Sequence, residues 1–133
     1  MLKLVEELEK DRYIRNIRDI YNEFKDKKFL GLTSEVLNDP VKLKSYIYSN
    51  IRAQKMDCSH YAGIICAIFD KLGINYECQG VLPIRSADKG KDFSTIENYY
   101  HVRVVTDDGT IYEENTPPEC DEFYVVESDI SFK

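Results

Sequence analysis

An α+β fold, helices first and a small antiparallel sheet after, is predicted by three features of the 133-residue chain. Apolar residues recur at helical spacing through the first half, Gly73 closes that regime, and apolar and polar residues alternate from Ile74 onward. From Leu2 to Phe24 the stripe is Leu2, Val5, Leu8, Ile14, Ile17, Ile20, Tyr21 and Phe24, with charged residues between. One long helix, or two with a break, is expected there, as an N-terminal helical extension over residues 1–30. Gly31-Leu32-Thr33 interrupts it. A second helix should start at Asn38-Asp39-Pro40, where Asp39 can cap and Pro40 can take the first helical position; Leu43, Tyr46, Ile47, Asn50 and Ile51 would share one side.

The third helix is expected from Cys58 to Leu72, capped by Asp57 and ended by Gly73, with Cys58, Ala62, Ile65, Cys66, Phe69 and Leu72 facing inward. Ile74 to Leu82 alternates and reads as a strand. Arg85 to Asn98 is too polar for an element and too long for a tight turn, so a loop beside the site is expected. Tyr99 to Asn115 reads as a hairpin turning at Asp107-Asp108-Gly109, and Phe123 to Val126 as a last short strand. No repeat or second domain is apparent, and one domain over 1–133 with one core is expected.

A net charge of −6 and no Lys/Arg cluster longer than Lys27-Lys28 argue against a nucleic-acid backbone as partner. The acidic residues within the first ten positions argue against a signal peptide or a membrane span, so a cytoplasmic setting is expected. Cys58, Cys66, Cys78 and Cys120 lack short paired spacing, which reads as four reduced thiols rather than a disulfide framework or a zinc site. No metal and no cofactor is called for.

The chemistry-bearing pair is Cys58 and His101. A thiol at a helix N-terminus is drawn toward thiolate by unpaired N–H groups and the dipole, and a histidine on a strand can take its proton. His60 lies only two residues from Cys58, so the two point to different sides of a helix. Cys66 reads as a packing residue and Asp57 as a cap. Hairpin register selects the group that orients His101, because directly opposed side chains lie about 5 Å apart. A three-residue turn over Asp107-Asp108-Gly109 sets His101 opposite Asn115, a two-residue Asp108-Gly109 turn opposite Thr116, and an Asp107-Asp108 turn opposite Glu114. Asn115 is favoured and Glu114 is the alternative. For a tetrahedral oxyanion, the Cys58 backbone N–H supplies one donor and Gln54 is a candidate for the second.

Leu43 to Arg52, Asp57-Cys58-Ser59-His60-Tyr61-Ala62, Phe69-Asp70-Lys71-Leu72-Gly73-Ile74, His101 on a strand and Asp108-Gly109 together resemble the transglutaminase-like superfamily, relatives of papain-type cysteine peptidases. The resemblance covers residues 41–118. It implies Cys58 as nucleophile, His101 as base and, six residues past Gly109, Asn115 as third member, in a cysteine-dependent amide hydrolase that works through a thioester on a peptide or protein substrate. Peptidase or amidase action is expected over transfer to an amine. Met56 and Arg103 stand where that superfamily commonly has a glycine and an aromatic residue. The alternative is therefore an inactive member that binds a peptide or protein.

Overall fold

The computed structural model of the chain describes residues 14–51, 57–85, 101–114 and 120–127, with the side chains of 82–85 and 120–127 left undescribed. Helix α1 runs through residues 14–24. It is followed by α2 (Ser34–Leu37), α3 (Pro40–Asn50) and α4 (Cys58–Leu72). The strands are β1 (Tyr76–Arg85), β2 (His101–Thr106), β3 (Ile111–Tyr112) and β4 (Cys120–Glu127). They form one antiparallel sheet in the order β3-β2-β1-β4. The α+β class is the one expected. The short α2 was not expected; its start is Thr33, whose hydroxyl accepts from the Val36 N–H just past the glycine interruption.

Caps fix the helix ends as the sequence indicates. Asp39 accepts from the Val41 and Lys42 N–H groups with Pro40 next to it, and Asp57 accepts from the His60 N–H. Gly73 ends α4 at φ 71°, a left-handed conformation that costs a residue with a Cβ more than glycine. Two inward assignments fail at helix ends. Asn50 is exposed and folds its amide back onto the Tyr46 carbonyl, and Leu72 is 50% exposed because the helix stops under it.

The core lies between α4, α1, α3 and one face of the sheet. Ile17, Leu43, Ile47, Ile64, Ile65, Ile68, Phe69, Val102 and Val104 are almost wholly buried within it. Gly63 sets the approach of α1 to α4: a Cβ there would lie 2.9 Å from the Ile17 carbonyl oxygen and 2.8 Å from the Ile20 side chain. Phe69 stacks edge-on against Tyr112 at 5.1 Å and tilted against Tyr76 at 5.9 Å, so one ring joins α4 to both β1 and β3.

Register in the β2–β3 hairpin is the one set by the three-residue turn. Val104 faces Tyr112, Val105 faces Ile111, the Gly109 N–H donates to the Thr106 carbonyl, and Gly109 takes φ 85°. The pairing then stops. β3 holds only two residues, and the chain leaves β2 at Glu113, where a longer ladder would have continued.

Candidate active site at the open end of the hairpin

Along an antiparallel strand, successive N–H groups point alternately to the two neighbours. The Thr106 N–H donates to Thr110 on the β3 side, so the N–H groups of Val104 and Val102 point that way too. At Val102 no β3 residue remains to receive it. Its place is taken by the Cys58 sulfur, which the Val102 N–H approaches together with the Ser59 and Cys58 N–H groups of the α4 terminus. The thiol therefore sits in a notch at the sheet edge, one residue from His101.

The thiol is not activated as the helix terminus alone suggests. Burial pushes Cys58 above its ordinary value of 9.0, the Asp57 charge adds to that, and the three N–H groups oppose it without prevailing. The expectation of a thiolate at rest is thus corrected: desolvation outweighs the dipole here. Asp57 itself is drawn upward by burial, but the Ser59 hydroxyl, the His60 N–H and the His60 ring hold it below the usual carboxylate range. The Ser59 hydroxyl donates at 2.7 Å and the His60 Nδ1 lies at 2.9 Å. His60 is consequently an accessory to the cap, and it is partly exposed.

His101 opens β2 and is 3% exposed. Its Nε2 lies 2.9 Å from Oε2 of Glu113, whose side chain is largely buried. An ionised carboxylate only accepts, so an Nε2–H donor is what satisfies this contact. Alternation places His101, Arg103 and Glu113 on the sheet face away from Val102 and Val104. Arg103 donates from Nε to Gln79 at 3.0 Å, and burial draws its guanidinium down from its ordinary value against the attraction of Glu113.

Glu113 was not among the expected site residues. A side chain directly opposite His101 was expected, whereas the contact made is the diagonal one, two residues nearer the turn. Diagonal neighbours stand about 7–8 Å apart at the backbone, within reach of a glutamate. A period of two in the sequence puts Glu113 in the same class of positions as Asn115, which is the signal that could have found it. The alternative of Glu114 as third member is corrected: its carboxylate accepts from the Tyr48 hydroxyl at 2.7 Å, on the opposite side of the chain. Asn115 and Gln54 lie outside the described residues.

Cys66 and Cys78 are a different kind of thiol. Both are buried, they share a hydrogen bond, and burial pushes Cys66 far up. Cys58, Cys66 and Cys78 are all free of disulfides. Among the described residues no group of three His, Cys, Asp or Glu side chains is arranged to hold a metal ion, and no helix is long and apolar enough to cross a membrane. A cleft of about 410 Å³ lies between Leu37, Phe69, Ile74, Asp107 and Tyr112. It belongs to the C-terminal end of α4, about 20 Å along the helix from the thiol. Tyr61, one turn into α4 from Cys58, is the one described residue with a buried polar side-chain atom lacking a hydrogen-bond partner. Comparison of the chain with protein families, curated proteins and solved structures returns no match to any of them.

Proposed function

We propose that the protein is a cysteine-dependent amide hydrolase of the transglutaminase-like, papain-related kind, with Cys58, His101 and Glu113 as its reacting set. The observation that carries this reading is the notch. The helix-terminal sulfur lies at the Val102 N–H, next along the chain to a histidine whose Nε2 is held by a largely buried carboxylate. In this arrangement Nδ1 of His101 is the base. Because burial keeps the thiol protonated, the proton leaves the sulfur as it attacks the amide carbonyl, rather than before substrate arrives. The oxyanion is met by the Cys58 N–H, with Gln54 as the side chain the sequence offers for a second donor. His101 returns the proton to the departing amine. It then takes one from water as water attacks the thioester, which releases the acid and restores the thiol. The expected substrate is a peptide or protein amide.

Iodoacetamide labelling of the native protein, followed by mapping of adducts, tests this. Cys58 should react ahead of Cys66 and Cys78. His101→Ala should slow that labelling by about 10²–10⁴-fold, the range of general-base assistance, while His60→Ala leaves it near the wild-type rate. Unchanged labelling in His101→Ala removes the hydrolase reading. The raised thiol favours the second reading, an inactive relative whose notch binds a peptide. In that case Cys58 labels slowly in every variant.

A further inference from the structure

Gln79, Arg103 and Glu113 form a row across the sheet face that carries His101. His101 and Arg103 are two residues apart on β2 and so point to the same side. Gln79 of β1 stands directly opposite Arg103, and the Arg103 Nε donates to its Oε1 at 3.0 Å. On the other side of β2, Val105 faces Ile111 and Val104 faces Tyr112, so the next step of the same register brings Glu113 to Arg103. Opposed side chains lie about 5 Å apart, and the Arg103 guanidinium is drawn by the Glu113 charge. The same carboxylate lies 2.9 Å from Nε2 of His101, with the histidine side chain 4% and the glutamate side chain 14% exposed. One glutamate thus answers both a histidine and an arginine.

That division of charge decides what His101 can do. A carboxylate buried against an imidazole favours the imidazolium, which donates from both nitrogens and has no lone pair to receive the Cys58 proton. A guanidinium beside the same carboxylate opposes this twice, by taking up part of its charge and by repelling a second cation on the ring. β1 faces the ring with the uncharged Val81, and the α4 terminus, packed at Val102, brings the Cys58 thiol and the Asp57 carboxylate, which the Ser59 hydroxyl and the His60 ring engage. We infer that Arg103 is a positioning residue: held by Gln79 and facing Glu113, it balances the carboxylate so that His101 rests as neutral imidazole near pH 7, able to take a proton. The inference rests on the proposed role of His101, but the charge on the ring can be read without any reaction.

The test is ¹⁵N spectroscopy of ¹⁵N-histidine-labelled protein at pH 7, where imidazole and imidazolium nitrogens resonate apart, with Cys58 alkylation measured beside it. The chain has only two histidines, so the His101 ring is assigned by difference from His60→Ala. Wild type should show a neutral His101 ring. Arg103→Met should raise the ratio of imidazolium to imidazole by at least about tenfold, the effect of a charge within about 4–6 Å. Arg103→Lys keeps the cation and should stay nearer wild type, and Lys42→Met, which removes a cation paired with Glu35 on α3, should change nothing. In a Glu113→Gln background Arg103→Met should have a smaller effect, because the carboxylate it answers is gone. An imidazolium ring in wild type, or a ratio unmoved by Arg103→Met, overturns the inference. A ratio that moves, with alkylation indifferent to His101→Ala, leaves Arg103 in its role and removes the hydrolase reading. Should Arg103→Met fail to fold, Arg103→Gln carries the test, since its amide still has N–H groups to offer Gln79.

Discussion

The two ends of α4 face opposite kinds of surroundings. At the C-terminal end Phe69 is wedged between Tyr76 and Tyr112, Gly73 closes the helix, and the polar groups saturate one another: Tyr21 donates to Asp70, and Tyr76 bonds Asp70 and Cys66. At the N-terminal end a thiol rests on backbone N–H groups, a strand pairing stops early, and the Tyr61 hydroxyl has no described partner. The first end uses its hydrogen-bonding capacity on itself. The second leaves groups available to something that arrives. A polar group buried without a partner is costly, so such groups gather where a ligand or a reaction supplies the missing bond.

The contrast breaks first at Phe69. Phe69→Ala removes the ring that joins α4 to two strands, and a buried aromatic truncation costs about 3–5 kcal/mol. Urea unfolding should register that loss while Cys58 alkylation under native conditions holds near its wild-type rate. A large change in alkylation would mean that the two ends are not separable.

Glu113→Gln acts at the other end. The amide keeps the shape and loses the charge that fixes the Nε2 proton, so Cys58 alkylation should fall by about 10²-fold, near the lower limit of general-base assistance. A rate equal to wild type would return the third position to Asn115 or leave it vacant. The Glu113 contact is also one that the sequence does not show. Period, caps and the Gly109 turn gave α3, α4 and the β2–β3 register because each depends on residues adjacent in the chain. Glu113 was missed because its contact depends on where β3 ends, and nothing local to Ile111-Tyr112-Glu113 signals that the ladder stops there. The state of Cys58 was misjudged for a related reason. The helix terminus is legible at Asp57-Cys58, but the burial that outweighs it comes from β2, some 44 residues away in the chain.

Gly63 tests how the core end is built. A methyl group there meets the Ile17 carbonyl oxygen at 2.9 Å and the base of the Ile20 side chain at 2.8 Å, and neither can turn away without moving α1. Gly63→Ala should cost about 1–3 kcal/mol by overpacking, despite the gain in helix propensity. Thermal unfolding with a raised midpoint would show that α1 gives way easily, and that the close α1–α4 approach is not a fixed part of the core.

The smallest effect compares like with like, taking one tyrosine–carboxylate pair from each end. Tyr21 is pushed up to about 12 by its 2.6 Å bond to Asp70, with burial adding to it. Tyr48 is also pushed up to about 12, by burial first and then by Glu114. In both cases the neutral phenol is favoured by folding. The associated stability is fully present below the ordinary value of 10.0, and it is lost as pH rises from 10.0 through about 12, because the unfolded chain releases the proton first. The two should differ in how much of the shift reaches stability. Tyr21 is 8% exposed and Tyr48 is 44% exposed, so solvent screens the second pair more strongly. Urea midpoints measured at pH 9 and pH 11 under reducing conditions should therefore show wild type weakening with pH, Tyr21→Phe weakening clearly less, and Tyr48→Phe weakening almost as much as wild type. If Tyr48→Phe flattened the profile as far as Tyr21→Phe, the exposed Tyr48–Glu114 pair would be as strongly held as the Tyr21–Asp70 pair, and solvent screening would not separate the two ends.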